Sequence, residues 1–332
     1  MAIFVMTSIF KPAWWLRNCH LQTLFPALLR RVKSPPLRRE RLVTPDGDFL
    51  DIDWCDAHAE SSLVILLHGL SGSSKSGYIQ GLQHALQKNN FRSVAINFRG
   101  CSGEYNNTSR CYHSGETRDL DFLYHTLRDR EPNTCFSAVG FSLGANVLLK
   151  WLGEKEQAVD LSCAVAVSTP FELSLCATKL DNGFSRVYRA NLLRELKAYM
   201  IEKHLHLEAK GYLAEAQKIK QCGNLRKIRS FWEYDKQVVA KLYGFKDAHD
   251  YYAKSSSKQF LKSITVPTLL IQAQDDPFMT DEVIPKISEL SAGVKLELTQ
   301  HGGHVGFVSG RNPLRPVYWL EQRIVAFLKE NV

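Results

Sequence analysis

The chain has 332 residues, 45% of them apolar and 23% charged, with a formal charge of +8. That length can bury a large core, and that balance excludes a disordered, collagenous or membrane-spanning class and points to an ordinary soluble globular protein. The charge is concentrated: up to residue 41 the cations Lys11, Arg17, Arg30, Arg31, Lys33, Arg38, Arg39 and Arg41 face the single acid Glu40, so the positive field belongs to the N-terminus.

Cys19, Cys55, Cys101, Cys111, Cys135, Cys163, Cys176 and Cys222 are scattered without C-x-x-C or zinc-ligand spacing. Several fall in apolar runs, where cysteine acts as a small hydrophobe, and reduced thiols in a cytoplasmic protein are expected. Residues 1–10 are apolar, but no basic region precedes them and no small-residue cleavage pattern follows, so no secretory signal is expected. No run approaches the ~18 apolar residues of a membrane span.

Residues 1–40 read as an extension to the main domain. Leu21, Leu24, Phe25, Leu28 and Leu29 fall at helical spacing before Arg30-Arg31, and Phe4, Val5, Ile9, Phe10, Trp14, Trp15 and Leu16 add a largely apolar stretch. Such a segment either packs on its own domain with its arginines in water, the expectation adopted here, or lies peripherally on anionic lipid at the inner membrane surface. No nucleic-acid fold is recognisable, so no nucleic-acid partner is expected despite the basic charge.

A hairpin is expected at 41–44 and 49–55 around Pro45-Asp46-Gly47. Strands buried on both faces are expected at 62–67, 92–98, 134–142 and 163–169, separated by helices at 76–89, 116–130 and beyond Ser142. After Pro170 about ninety residues hold no good strand but several helical stretches, at 184–204, 207–221, 225–242 and through 251–258. Strands resume at 265–273 and 294–299, with helices near 281–290 and at 314–329. This alternation predicts an α/β protein whose mostly parallel, doubly wound, eight-stranded sheet spans 41–170 and 263–332, interrupted by a helical cap at 171–262.

The chemistry gathers at the C-terminal ends of strands, where ligands bind in open α/β sheets. Residues 134–153 run strand, Gly140-Phe141-Ser142-Leu143-Gly144, helix, the context in which G-x-S-x-G is meaningful. A sharp turn there lifts the Ser142 hydroxyl above the sheet and points the Leu143 N–H at an oxyanion beside it. Other strand ends carry His68-Gly69-Leu70, Asp275-Asp276-Pro277 and His301-Gly302-Gly303-His304. A serine is a poor nucleophile without a base, and the base needs an acid to hold its tautomer. His304, past two glycines, is the expected base, with His301 structural. Asp276 is chosen over Asp275 as the acid. Backbone N–H groups of Leu70 and Leu143 are the expected oxyanion donors. His204 and His206 read as surface residues. Two histidines three apart without a partnering ligand cluster do not suggest a metal site.

Taken together, NCHLQT (18–23), LLHGLSG (66–72), NFRGCSGE (97–104), YHSGET (112–117), GFSLGAN (140–146), QDDPF (274–278) and HGGHVGF (301–307) resemble the YheT-like branch of the α/β-hydrolases. The resemblance runs from about Asn18 to the C-terminus. It implies the α/β-hydrolase fold, Ser142, Asp276 and His304 as a triad, and hydrolysis of carboxylic esters or lipids. No metal or cofactor is expected. Apolar cap residues such as Leu193, Leu205, Leu213 and Phe231 suggest a short- to medium-chain acyl group. Arg99, Tyr112 and His113 either line the acyl pocket or route the chain, the second being preferred. An acyltransferase or thioesterase using the same groups, and a non-catalytic membrane-associated binding module, are the alternative readings.

Overall fold

The structure is a computed structural model that describes residues 6–7, 10–58 and 61–332; Phe4, Val5 and Ile9 of the apolar N-terminal stretch lie outside them. Among the described residues nine strands form one sheet: β1 (Met6–Thr7), β2 (Arg38–Val43), β3 (Phe49–Cys55), β4 (Leu63–Leu67), β5 (Arg92–Asn97), β6 (Phe136–Phe141), β7 (Cys163–Val167), β8 (Thr268–Ala273) and β9 (Val294–Thr299). Their spatial order is β1-β9-β8-β7-β6-β4-β5-β3-β2. The eight expected strands are thus joined by a two-residue edge strand, β1, which pairs parallel with β9 at Met6 and Glu297. Among the described residues of this sheet, only the β2–β3 and β3–β5 pairings are antiparallel. β2 starts at Arg38, inside the segment expected to be extension.

The central strands are buried along their whole length because helices cover both faces. Ile65 of β4 faces Val94 of β5 on one side and Ala138 of β6 on the other. One face carries α3 (Arg118–Arg130) and α4 (Leu143–Lys155), whose Leu123, Leu127, Leu148 and Trp151 join Ile65 and Ala138. The other carries α2 (Gly77–Lys88) and α11 (Trp319–Asn331), whose Leu82, Leu86, Ile324 and Leu328 join Val64, Val139 and Val165.

Between β7 and β8 the chain is helical: α5 (Leu173–Leu180), α6 (Ser185–Ala209), α7 (Leu213–Lys220), α8 (Phe231–Tyr234), α9 (Ala240–Tyr243) and α10 (Ala248–Ser255). These helices build their own apolar cluster, with Leu193, Met200, Leu207, Phe231 and Tyr251 buried in it. The single helix expected over 225–242 is a 3-10 turn at Leu225–Lys227 and then a separate helical run from Phe231 to Tyr243, which carries a π-helical turn at Asp235–Val239. A second departure follows β8. The helix expected near 281–290 is replaced by single 3-10 turns at Asp281–Val283 and Ile287–Glu289, because Pro285 lacks an N–H and disfavours helical geometry in the residue before it. The last helix begins at Trp319, after Pro316, rather than at 314. A short antiparallel pair, β10 (Val308–Ser309) and β11 (Val317–Tyr318), precedes it.

Ahead of the sheet, the helix read from the leucine spacing is α1 (Cys19–Leu29), capped by the Asn18 side chain, which accepts the N–H groups of His20 and Leu21. It lies against the loop after β9 rather than standing apart from the domain. A Cβ placed on Gly303 would come within 2.6 Å of the Cys19 carbonyl oxygen and 2.7 Å of Thr23 Oγ1. Only a residue without a side chain admits that approach.

Candidate active site

Ser142 sits between β6 and α4 at φ 52°, ψ −119°, outside the regions L-residues favour. The turn persists because its surroundings determine it. The Ser142 N–H donates to Val167 O of the neighbouring strand at 2.8 Å. A Cβ on Gly140 would stand 2.6 Å from Ala145 Cα, and one on Gly144 would stand 2.6 Å from Leu67 O. The glycines therefore let the helix start close against the ends of β4 and β6.

His304 reaches this serine from the loop after β9, with Nε2 at 2.8 Å from Ser142 Oγ. Its other nitrogen, Nδ1, is 2.7 Å from Asp276 Oδ2. With the proton on Nδ1 donated to the carboxylate, Nε2 is left with a lone pair facing the hydroxyl. Asp276 is buried, and its second oxygen accepts the Phe278 N–H at 2.9 Å. The Phe278 ring then stacks on the imidazole, centroids 4.1 Å apart and planes within 5°. The neighbouring pair does something else. Asp275 accepts from Gly303 N–H at 2.9 Å and lies 3.2 Å from His301 Nδ1, and its burial pushes its carboxyl upward. It fastens the loop that carries His304 without touching that ring.

The loop is held from the opposite side by the NCHLQT segment. His304 N–H donates to Thr23 Oγ1 at 2.9 Å, and the Thr23 hydroxyl donates to Cys19 O at 2.8 Å. The Gln22 amide is buried, accepting from Val308 N–H at 2.7 Å and donating to Val308 O at 2.9 Å and Leu16 O at 2.8 Å. The motif was visible as a pattern, but its service to a loop some 280 residues away carries no local signal. Thr23→Val keeps the shape and removes the acceptor for the His304 N–H. A loss of roughly three- to tenfold in kcat with KM unchanged is expected in steady-state kinetics, since a small misplacement of a catalytic group is costly.

The segments that carry the two expected oxyanion donors approach each other beside Ser142. Leu143 is the first residue of α4, so its N–H has no acceptor one turn back. Leu70 follows β4, and a Cβ on its neighbour Gly69 would lie 3.1 Å from Ser142 Cβ. Of the three residues left between pocket and scaffold, Arg99 is scaffold. It is buried and paired with Asp46, Asp48 and Asp119. His113 is buried against Tyr243, Phe245 and Tyr251, and its burial pushes its pKa down to about 4. Tyr112 lies where the cap meets the sheet domain, in contact with both apolar clusters. Among the described residues no three His, Cys, Asp or Glu side chains converge as a metal site would require.

The α/β hydrolase fold family matches residues 62–310 of this sequence. The chain is 41% identical over 329 residues to the Escherichia coli (strain K12) protein named "Putative esterase YheT", covering 98% of this chain and 94% of that one. The chain belongs to the α/β-hydrolases, in their YheT-like branch. Within this family it is also similar to mouse phospholipase ABHD3, 29% identical with 95% of this chain and 77% of the relative covered. The yeast monoacylglycerol lipase is 31% identical, with 88% of this chain and 63% of the relative covered. Among solved structures, the Pyrococcus furiosus esterase Pf2001 superposes with a TM-score of 0.57 at 17% identity, over 99% of this hydrolase chain and 97% of its own. At that identity the likeness speaks for the fold.

Proposed function

We propose that this α/β-hydrolase cleaves carboxylic esters through an acyl-enzyme on Ser142. The observation that carries the reading is the unbroken relay from Ser142 Oγ through His304 to Asp276, at 2.8 Å and 2.7 Å. Ser142 Oγ attacks the acyl carbon as His304 Nε2 takes its proton, and Asp276 stabilises the imidazolium. The N–H groups of Leu70 and Leu143 receive the oxyanion, an interaction each of which is typically worth about 10²–10³ in rate. His304 then protonates the leaving alcohol, and water repeats the sequence on the acyl group. Leu193 and Phe231 are buried in the cap's own cluster and Leu205 and Leu213 are exposed, so support for a lipid ester or acylglycerol as substrate comes from the names of the relatives, a phospholipase and a monoacylglycerol lipase. Labelling by a fluorophosphonate and turnover of p-nitrophenyl esters of graded length test this. Absence of both in folded protein defeats it, and acyl transfer to added alcohol or thiol exceeding hydrolysis replaces it with a transferase.

The same reading extends to how such a substrate is met. On α1 and just before it, Trp14, Leu21, Leu28 and Leu29 are each at least half exposed. Arg17, Arg31 and Lys33 are exposed beside them, and residues 10–37 contain no acid. No described helix is long and apolar enough to cross a membrane. Apolar side chains ringed by cations suit peripheral contact with anionic lipid. Co-sedimentation with vesicles containing phosphatidylglycerol is expected, and the double substitution Leu28→Glu with Leu29→Glu is expected to lower it by about tenfold or more without changing hydrolysis of a soluble ester. Equal sedimentation of both proteins removes the lipid contact.

A further inference from the structure

The peptide unit joining Gly69 to Leu70 is fixed with unusual completeness. Its carbonyl faces His68 Nδ1 at 2.7 Å and accepts the Gly72 N–H at 3.0 Å. His68 Nε2 accepts the Phe98 N–H at 3.2 Å, so the ring proton is on Nδ1 and is donated to that carbonyl. Full burial pushes this imidazole down to about 4, which keeps it neutral and in this tautomer. A trans peptide points its N–H opposite its carbonyl, so fixing Gly69 O also aims the Leu70 N–H.

Two phenols hold the peptide units on either side. Gly69 N–H donates to the Tyr78 hydroxyl at 2.9 Å, and Ser71 N–H donates to the Tyr112 hydroxyl at 2.8 Å. Ser71 lies at φ 56°, a conformation that needs such support. The Tyr112 ring stacks on Phe98, centroids 5.4 Å apart and planes within 8°. The loop bearing Tyr112 is in turn held by the cap. Cys111 N–H donates to the Tyr243 hydroxyl at 2.8 Å and Ser114 N–H to the Tyr251 hydroxyl at 2.9 Å. Phenols, rather than a strand or helix ladder, thus receive the N–H groups of Gly69 and Ser71 on one loop and of Cys111 and Ser114 on another, between cap and nucleophile.

We propose that Tyr112 is a positioning residue for the oxyanion donor at Leu70, and that Tyr243 and Tyr251 transmit the seating of the cap to that donor. The inference rests on the serine-hydrolase reading above. It makes the cap part of the catalytic geometry in addition to a cover for the acyl group.

Tyr112→Phe keeps the stacked ring and deletes the acceptor. With active sites counted by fluorophosphonate titration, kcat is expected to fall about tenfold while KM stays within roughly twofold, because the lost interaction acts only in the transition state. A trifluoromethyl ketone, which forms an oxyanion on the serine, is expected to bind about tenfold more weakly, in step with kcat. Tyr251→Phe, which leaves Tyr112 in place, is expected to move both quantities in the same direction by a smaller factor. It carries the test alone should Tyr112→Phe fail to fold. Unchanged kcat and ketone affinity overturn the proposal, as does a raised KM at constant kcat, which would make Tyr112 a wall of the acyl pocket. Wild-type turnover surviving in Ser142→Ala would instead defeat the serine reading itself.

Discussion

Ser142→Ala is expected to reduce kcat for ester hydrolysis by roughly 10⁶, the loss typical of removing the nucleophile from such a unit. The substitution removes one oxygen at a position already at φ 52°, which alanine tolerates no worse than serine. The turn is fixed by the Ser142 N–H bond to Val167 O and by the close approaches at Gly140 and Gly144, all of which survive. The melting temperature is therefore expected to stay close to that of the unchanged protein, which separates lost chemistry from lost fold. Asp276→Asn is expected to cost about 10⁴ in kcat, because an amide favours the wrong imidazole tautomer. Stopped assays over hours are needed to read such residual rates. Activity within tenfold of the original in Ser142→Ala would remove this serine from the mechanism.

The largest expected effect on stability lies away from the nucleophile. The Arg99 guanidinium is 2% exposed and meets both oxygens of Asp119 at 2.8 Å, with Asp46 at 2.9 Å and Asp48 at 3.5 Å. Arg99→Ala strands carboxylates in the interior and is expected to cost about 3–5 kcal/mol, seen as a lower denaturant midpoint. Arg99→Lys is expected to recover little, since a point charge cannot replace the planar fork. The pH dependence is specific. At Asp48 burial pushes upward, but hydrogen bonds from Thr108, Asn106 and the backbone outweigh it and hold the carboxyl below its ordinary range. Burial also acts on Asp46, where the Thr44 hydroxyl and Arg99 prevail in the same downward sense. Depressed carboxyls bind fewer protons in the folded chain than in the unfolded one. Their contribution is complete above the unfolded value near ~4 and is lost as pH falls through the folded values. At Asp119 burial prevails and the carboxyl sits above its ordinary range even beside Arg99. Without Arg99 these carboxyls rise in the folded chain, so the variant loses most stability at neutral pH and less of it on acidification, and the gap in denaturant midpoint between the two proteins is expected to narrow below pH ~4. A gap of the same size at neutral and acid pH would contradict this account.

The strands were legible because burial on both faces demands continuous apolar runs, as in the Leu63–Leu67 and Cys163–Val167 segments. The order of the motifs along the chain likewise put Ser142, Asp276 and His304 after β6, β8 and β9, whose C-terminal ends bring the three side chains within hydrogen-bonding distance. Short-range rules failed where one residue changed the outcome, as at Pro285. They failed also in the cap, where polar helical periodicity cannot foretell the π-helical turn at Asp235–Val239. Asp276 is chosen over Asp275 for its place three residues past Ala273, and the geometry separates the two by which histidine each meets. The contacts of Thr23 and Tyr112 were invisible because their partners, His304 and Ser71, lie far away in sequence. The segments NCHLQT and YHSGET were the available signal, and their unexplained polar and aromatic residues were the reason to ask what they hold.

The 286-residue separation between Gln22 and Val308 has a consequence for the making of the protein. On a ribosome adding about 5–20 residues per second, the serine turn is complete roughly eight to thirty seconds before His304 is synthesised. On the mechanism proposed above, the growing chain in that interval carries Ser142 without its base, and the Gln22 amide lacks the Val308 backbone it binds in the finished fold. On that mechanism the order of translation alone disfavours acylation of unfinished chains by cellular esters.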